Sequence, residues 1–191
     1  MYNQIEFPSG ANTQEKNYKW QLINCLTDVD FKLKNKKLPN RPRRFTVRIL
    51  LTNNQNQIGL VKSLKYNYSQ IPGGGIEENE TIEEAARRET IEEMGVTMSE
   101  LKPLGYFISD KYQQKDIVFV FHGKAAKNVG TNYTKDELED ELKPIWLNLD
   151  SAIKEQIDNK KAIDQYKEIG YHGLFANQRD LMLLEYFQEH S

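Results

Sequence analysis

The chain has 191 residues, of which 38% are hydrophobic and 28% are charged, so it is long enough to bury the core of one compact domain. Its 26 lysine and arginine residues nearly balance its 28 aspartate and glutamate residues, which gives a formal net charge of -2. This balance argues against general attraction to nucleic acids or membranes through bulk charge, so any affinity for polyanions must be local.

The cysteine content and the apolar runs bear on where the protein resides. The single cysteine, Cys25, cannot form an internal disulfide, which favours a reducing compartment. The N-terminus lacks a basic start followed by an apolar stretch, and apolar runs such as Ile117 to Phe121 are far shorter than a membrane span. We therefore expect a cytoplasmic protein with no membrane partner.

The first 40 residues differ from the rest of the chain. They are polar and rich in asparagine, and they predict one short helix around Trp20 to Leu26. Pro39 and Pro42 indicate a connector rather than a helix in the basic stretch that follows. This connector is interpreted either as a solvated linker or as an arm that faces phosphate or another subunit. We predict an N-terminal extension with a basic connector over residues 1–40 and the main domain, including C-terminal helices, over residues 41–191. The basic residues of the stretch are Lys32, Lys34, Lys36, Lys37, Arg41, Arg43 and Arg44.

From Arg44 onward, short runs rich in β-forming residues alternate with turn signals. Turn-forming residues 53–56 join the first two runs as a hairpin. A glycine loop at residues 73–75 leads into a helix, Asp150 is predicted to cap a later helix, and Leu174 to Phe187 predicts a closing helix. This order of elements predicts a layered α/β or α+β domain with a mixed sheet. The predicted strands are Phe45 to Leu51, Ile58 to Leu64, Leu104 to Ser109, Ile117 to Gly123 and Pro144 to Leu149.

The helix after the glycines has clear boundaries. Thr81 and Glu84 have the spacing of a capping box, and Gly95 is a natural C-terminal stop, so the helix body is predicted at Ile82 to Met94. At about 100° per residue, one stripe of roughly 120° begins apolar and ends with three carboxylates. That stripe contains Ile82, Ala85, Ala86, Glu89, Glu92 and Glu93.

The acidic end of this stripe predicts a metal and phosphate site. Glu89 and Glu93 are like charges four residues apart, which destabilise a helix by about 0.2 to 0.5 kcal/mol unless a positive charge is present. Carboxylates are the hard oxygen ligands that Mg²⁺ or Mn²⁺ prefers, and a glycine loop can bring backbone groups close to the same ion. The alternative is a solvated acidic face. Against it, the carboxylates continue the small apolar residues, and Arg88 lies within reach of Glu84 and Glu92.

Eight residues reproduce a longer motif at every spacing. The motif is G-x5-E-x7-R-E-U-x-E-E-x-G-U, where U is a bulky aliphatic residue, and on these residues the chain resembles the Nudix hydrolase family. The one departure is Thr90, which stands at the first U position. The departure affects local packing more than chemistry. The resemblance extends from about Arg44 to Asp150 and implies an α/β/α sandwich with a mixed central sheet. The matched residues are Gly74, Glu80, Arg88, Glu89, Glu92, Glu93, Gly95 and Val96.

The resemblance implies a metal-dependent hydrolase that cleaves the pyrophosphate bond of a nucleoside diphosphate derivative with Mg²⁺, or with Mn²⁺. By position, it implies metal binding by Glu89, Glu92 and Glu93, with the Gly73 carbonyl as a further ligand. Arg88 would orient Glu89 and belong to the catalytic set. The alternatives are a non-catalytic Nudix-fold module that binds a nucleotide or regulates, and a calcium-binding or purely structural acidic helix.

The sequence does not identify the general base or the substrate. The base is either a glutamate of the motif or an acidic residue in a later loop. The resemblance implies a nucleotide-derived small molecule as partner, with Gly74 and Gly75 at the substrate, and a homodimer is an option. Tyr112, 17 residues past Gly95, resembles a marker of diadenosine polyphosphate hydrolases and is the third substrate-binding candidate. The later-loop candidates are Asp136, Glu137, Glu139, Asp140 and Glu141.

Overall fold

The computed structural model describes residues 5–167 and 169–191, apart from the side chain of residue 136. A short 3-10 helix covers Asp28–Phe31. The helices are α1 (Thr13–Lys16), α2 (Ile82–Met94), α3 (Lys135–Glu139), α4 (Leu149–Gln165) and α5 (Gly170–His190). The strands are β1 (Leu22–Thr27), β2 (Arg43–Thr52), β3 (Ile58–Ser63), β4 (Tyr68–Gln70), β5 (Val96–Asp110), β6 (Lys115–Asn128) and β7 (Leu142–Leu147).

Within the described residues, the strands form one seven-stranded sheet in the order β1-β5-β6-β2-β3-β4, and β7 pairs with β3. β1 runs parallel to β5 and β2 runs parallel to β6, whereas the other pairs are antiparallel. Thr52 pairs with Ile58 at the start of β3, so the predicted hairpin is present. The predicted mixed sheet is confirmed.

Two hydrophobic cores lie on opposite faces of the sheet. Val47 and Ile49 of β2 pack with Ala86 of α2 on one face. Leu50 packs with Phe175 of α5 on the other, because successive side chains of a strand point to opposite faces. With α2 on one side and α4 and α5 on the other, the predicted α/β/α sandwich is confirmed.

The predicted short helix around Trp20 to Leu26 is wrong. Leu22–Thr27 forms β1, which lies parallel to β5, and the N–H of Tyr106 donates to the Gln21 carbonyl at 2.8 Å. The open edge of β5 supplies backbone partners for this segment, and that edge is not visible in the local periodicity of the sequence. A segment outside the motif therefore completes one end of the sheet.

The basic connector is anchored to the end of β5. Arg41 Nη1 donates to Asp110 Oδ1 at 2.6 Å, and Lys37 pairs with the other oxygen of Asp110. Burial alone would raise the pKa of Asp110, but the hydrogen bonds and charges of Lys37 and Arg41 outweigh burial and lower it. The N–H of Leu38 also donates to the Tyr112 carbonyl at 3.0 Å. This part of the connector is held against the sheet and is not freely solvated.

Several boundaries differ from the sequence prediction. Strands β5 and β6 have 15 and 14 residues, longer than predicted, because their outer parts are polar and lack an apolar pattern. Helix α4 begins at Leu149, and its cap is Asn148, whose Oδ1 accepts from the N–H of Ser151 at 2.8 Å, so the predicted cap at Asp150 is wrong. In the described part of the chain, every helix is too short or too polar to traverse a lipid bilayer.

Candidate active site

The glycine loop lies alongside β2 as a continuation of the sheet. The N–H of Val47 donates to the Gly74 carbonyl at 2.9 Å, and the N–H of Ile49 donates to the Pro72 carbonyl at 3.0 Å. Thr46 also forms an isolated antiparallel bridge with Gly75. These backbone contacts fix the loop beside β2, directly before the helix that carries the motif glutamates.

Helix α2 begins and ends where the sequence predicts. Thr81 and Glu84 form both hydrogen bonds of the capping box, and Gly95 adopts the left-handed conformation at the C-terminus with φ 66°. Thr90, the departure from the motif, is fully buried, and its hydroxyl donates to the Ala86 carbonyl at 2.8 Å. The polar atom is therefore satisfied within the helix, and the substitution leaves no unpaired group.

Arg88 lies at the centre of a charge cluster. Its Nε donates to Glu80 Oε1 at 2.8 Å, and its Nη1 donates to Glu89 and Glu92 at 2.9 Å each. Its Nη2 donates to the Gly75 carbonyl at 2.9 Å. The hydrogen bond to Glu80, followed by those to the other glutamates, raises the pKa of Arg88. The guanidinium therefore directs two carboxylates and holds the glycine loop against α2.

Glu89 is only 8% exposed and lies against the glycine loop. A Cβ atom at Gly74 would lie 2.4 Å from Glu89 Oε1, so the glycine is what allows this close approach. Burial raises the pKa of Glu89, although the charges of Arg88 and Arg48 act in the opposite direction. The first residue of the motif thus makes room for the carboxylate of a later one.

Glu93 faces the same loop. Its Oε2 accepts a hydrogen bond from the N–H of Gly73 at 2.7 Å. Burial raises the pKa of Glu93 to about 8; Arg48 lowers it, and the negative charges of Glu89 and Glu137 raise it further. Glu137 is one of the later-loop candidates for the general base. The hydroxyl of Tyr133 also donates to the Glu93 carbonyl at 3.0 Å.

Arg48 is a site residue that the sequence analysis missed. Its Nη1 donates to the Val47 carbonyl at 2.9 Å and also to the Gly73 carbonyl, the oxygen predicted as a metal ligand. Burial lowers the pKa of Arg48 to about 10, and the charge of Arg179 adds to this effect. The sequence signal that could have identified it is the alternation of polar and apolar residues in β2. Arg44, Thr46 and Arg48 occupy one face of this strand, and the other face is mainly apolar.

The donor set fits a divalent cation, although its members do not converge as they stand. In the described part of the chain, no three histidine, cysteine, aspartate or glutamate side chains stand in the arrangement of a metal site. Glu89 and Glu92 face Arg88, and Glu93 faces Gly73. The oxygens are nevertheless those that Mg²⁺ or Mn²⁺ prefers. Among the described residues, Glu93 has no lysine or arginine within ion-pair distance, so a cation would supply the missing positive charge.

A cavity of about 390 Å³ lies beside the glycine loop, between the sheet and α5. Arg44 and Arg48 line it from β2, Lys111 lines it from the end of β5, and Arg179 lines it from α5. Tyr112 is not among the described residues that line this cavity, because its ring packs edge-on against Tyr171 at 5.3 Å. The structure therefore brings the motif residues to the loop and leaves Tyr112 to one side.

The chain is similar to proteins that are already known. A family model described as NUDIX domain matches residues 42–166. The chain is 30% identical over 141 residues to an RNA pyrophosphohydrolase of Wolbachia pipientis subsp. Culex pipiens (strain wPip), a match that covers 64% of this chain and 84% of that protein. It is 34% identical over 79 residues to an oxidized purine nucleoside triphosphate hydrolase of Danio rerio, which covers 41% of this chain and 47% of that one. The chain thus spans about half the length of the fish protein.

Among solved structures, the crystal structure of a MutT protein from Methanosarcina mazei Go1 is similar to this chain, with 22% sequence identity and a TM-score of 0.49. The match covers 61% of this chain and 85% of that one.

Proposed function

The chain belongs to the Nudix hydrolase family, and on that basis we propose that it is a divalent-metal-dependent hydrolase that cleaves the pyrophosphate bond of a nucleoside diphosphate derivative. The observation that carries the proposal is the cluster at the glycine loop. There Arg88 joins three motif glutamates to the Gly75 carbonyl, and Glu93 accepts from the N–H of Gly73. This cluster supports a role in chemistry because it gathers one buried and three half-buried carboxylates beside the glycine loop.

Each residue of the cluster has a distinct role in the proposal. Glu89, Glu92 and Glu93 would hold the metal ion, and the Gly73 carbonyl would add an oxygen. When bound, a divalent ion neutralises charge on the phosphoryl oxygens and lowers the pKa of water. Arg88 keeps the carboxylates of Glu89 and Glu92 directed toward the loop.

The non-catalytic alternative has less support. A module that only binds a nucleotide has no need for all three metal-binding candidates, yet every glutamate of the motif is present, and Glu80, Glu89 and Glu92 are hydrogen-bonded to Arg88. A purely structural acidic helix would leave its carboxylates in solvent, whereas Glu89 is 8% exposed. The buried position of this carboxylate favours the hydrolase.

The names of the relatives suggest which substrates to test first. One is named for RNA pyrophosphohydrolase activity, and proteins of Danio rerio and Mus musculus are named for hydrolysis of oxidized purine nucleoside triphosphates. We therefore include RNA with a 5′-triphosphate end and oxidised purine nucleoside triphosphates as candidate substrates of this chain.

The test is a substrate panel measured with Mg²⁺, with Mn²⁺ and with a chelator. It contains ordinary and oxidised nucleoside triphosphates, nucleotide sugars, ADP-ribose, dinucleoside polyphosphates and 5′-triphosphorylated RNA, with products identified by chromatography and mass spectrometry. We expect metal-dependent release of a nucleoside monophosphate or a monophosphorylated end from at least one member. Nucleotide binding without cleavage under all metal conditions would favour the non-catalytic module instead.

Three further statements stay predictions. The cytoplasmic location is tested by cell fractionation and the homodimer by light scattering of the purified chain. The division at residue 40 is tested by expressing residues 41–191 and measuring whether they fold without the N-terminal extension. Because β1 lies in that extension and pairs with β5, removal exposes a sheet edge.

A further inference from the structure

The cavity beside the glycine loop holds more positive charge than its own carboxylates balance. Among the described residues, four cationic side chains line it, whereas Asp116 and Asp140 alone supply lining carboxylates. Of these, Asp140 also pairs with Lys65 at 3.0 Å, and Lys65 is not among the described residues of the cavity wall. The cationic residues are Arg44, Arg48, Lys111 and Arg179.

Two of the four cations already have partners. Lys111 Nζ lies 2.5 Å from Asp116 Oδ2, and both side chains are less than a tenth exposed. Arg179 Nη2 lies 2.7 Å from Asp180, and this carboxylate also accepts from the N–H of Ile71 at 2.9 Å. These two pairs form a fixed wall whose charges largely cancel.

The other two cations form no direct ion pair among the described residues, although the charges of Asp180, Glu93 and Glu89 act on Arg48 from a greater distance. In the described part of the chain, no carboxylate oxygen lies within 4.0 Å of the guanidinium of Arg44 or Arg48. Arg48 donates only to backbone carbonyls, and its buried Nε has no hydrogen-bond partner among the described residues. Arg44 is exposed and Arg48 is half-buried, so an anionic ligand would complete this wall by pairing with both guanidinium groups.

The same two arginines connect the cavity to the loop where cleavage is proposed. Arg48 donates to the Gly73 carbonyl. The Nη2 atom of Arg44 lies 3.6 Å from the position of a Cβ atom at Gly75. A ligand with one phosphate group at the loop can therefore extend past both guanidinium groups into the cavity.

The aromatic rings of the cavity are already packed, which disfavours stacking of a nucleobase there. Phe175 is 1% exposed and packs on Phe31 with ring centroids 4.6 Å apart. Tyr66 packs edge-on against Tyr166 at 5.3 Å, and Tyr68 is 5% exposed. The cavity thus offers guanidinium groups rather than open ring faces.

We propose that this cavity is an anion subsite that receives a phosphate-bearing part of the substrate outside the scissile pyrophosphate. The inference rests on the proposed function and narrows its substrate class. The preferred substrates are nucleoside diphosphates that carry a further phosphate, such as a nucleoside triphosphate or a 5′-triphosphate end. Nucleotide sugars, whose attached group is uncharged, leave the guanidinium groups of Arg44 and Arg48 without an anion.

The first experiment measures anion binding without metal or catalysis. Inorganic phosphate is titrated by calorimetry into the full chain in a chelator at low salt, for the unmodified protein, Arg44→Gln and the matched control Arg43→Gln. Arg43 is the neighbour on the other face of β2 and pairs with Glu6 at 2.9 Å. Replacing either arginine by glutamine changes the net charge by the same amount. We expect Arg44→Gln to weaken phosphate binding about tenfold through loss of a charge-assisted hydrogen bond, with the control within about twofold. Equal effects of both variants, or no saturable binding, would overturn the subsite.

The second experiment compares matched substrates with Mg²⁺ present. ATP and ADP-glucose share the same nucleoside diphosphate, as do GTP and GDP-mannose, and the attached group is a charged phosphate in the first of each pair and a neutral sugar in the second. We expect kcat/KM to be about tenfold or more higher for the triphosphate than for the nucleotide sugar, and Arg44→Gln to reduce this ratio of kcat/KM values about tenfold. Inorganic phosphate should act as a competitive inhibitor against the triphosphate. Noncompetitive phosphate, or a ratio that does not depend on Arg44, would overturn the inference while the hydrolase assignment stands. Arg44-dependent phosphate binding with no substrate hydrolysed would instead support the subsite and overturn the proposed function.

Discussion

The carboxylate of Glu15 accepts a hydrogen bond from the backbone N–H of Glu83 at 2.7 Å. Glu83 belongs to the first turn of α2, where backbone N–H groups have no partner within the helix. Glu15 is fully buried, and its other oxygen accepts from the N–H of Asn12 at 3.0 Å. A residue outside the family match therefore satisfies the N-terminus of the helix that carries the metal-binding candidates.

We predict that Glu15→Ala lowers the free energy of unfolding by about 1 to 3 kcal/mol, because it leaves buried N–H groups without an acceptor. Urea denaturation measures the change. The control is Glu100→Ala, which removes an exposed carboxylate that pairs with Lys102 at 3.0 Å and should cost less than about 1 kcal/mol. Equal losses in the two variants would show that Glu15 contributes no more than a surface ion pair.

Glu93→Gln is predicted to reduce hydrolysis of a confirmed substrate by at least about a hundredfold while the fold is retained. The amide keeps an acceptor for the N–H of Gly73 but removes the charge that a cation requires. The same substitution should abolish the rise in melting temperature that millimolar Mg²⁺ gives the unmodified protein by mass action. Turnover close to that of the unmodified protein would remove Glu93 from the site.

Gly74→Ala is predicted to reduce kcat by about tenfold or more and to change stability little. The new Cβ atom would lie 2.4 Å from Glu89 Oε1, and this carboxylate is the end of a flexible side chain that can turn away. The expected cost is therefore a displaced carboxylate and not an unfolded protein. Steady-state kinetics and thermal unfolding on one preparation separate the two effects, and a large drop in melting temperature with normal kcat would contradict the argument.

The contribution of His122 to stability should be lost as the pH decreases below about 6.5, whereas Glu93 and Glu89, whose pKa values are raised, contribute in the opposite direction. Burial lowers the pKa of His122 from 6.5, the charge of Lys102 adds to this, and Glu100 opposes it. Because the unfolded chain then binds the proton more tightly, the stabilisation is complete above pH 6.5 and is lost as the pH falls toward the folded pKa. His172, whose pKa burial also lowers, adds to the slope.

The pH prediction is checked by urea unfolding at about pH 7.5 and about pH 5.5. His122→Gln should lose less stability than the unmodified protein between the two pH values, since glutamine does not titrate; the ring nitrogen that it replaces lies 2.9 Å from the hydroxyl of Thr52. His190→Gln is the control because His190 is exposed at the end of α5. An unchanged slope in His122→Gln would exclude this histidine as a contributor.

Local signals account for what the sequence could predict. Helix α2 was predicted at its observed boundaries because Thr81, Glu84 and Gly95 mark its ends within a few residues. Strand β2 was predicted at Phe45 to Leu51, within its observed range, from a run of β-forming residues. These features depend on neighbours along the chain, and so does the spacing of the motif glutamates on one helix.

The missed features depend on contacts between distant segments. Arg48 meets Gly73 25 residues later, and Glu15 meets Glu83 68 residues later, so neither role leaves a short-range pattern. β1 was mistaken for a helix because its pairing partner, β5, lies far along the chain. The sequence could name the carboxylates of the site but not the arginine and the N-terminal segment that surround them.

Strand β2 also fixes the spacing between Arg44 and Arg48. Arg44 and Arg48 are four residues apart, and a strand rises about 3.3 Å per residue, so their backbone positions are separated by roughly 13 Å. Hydrogen bonds to β6 along the full length of the strand keep this interval constant. The affinity of an anionic ligand would then depend on its length as well as on its charge, because a ligand that is too short can reach only one of the two guanidinium groups.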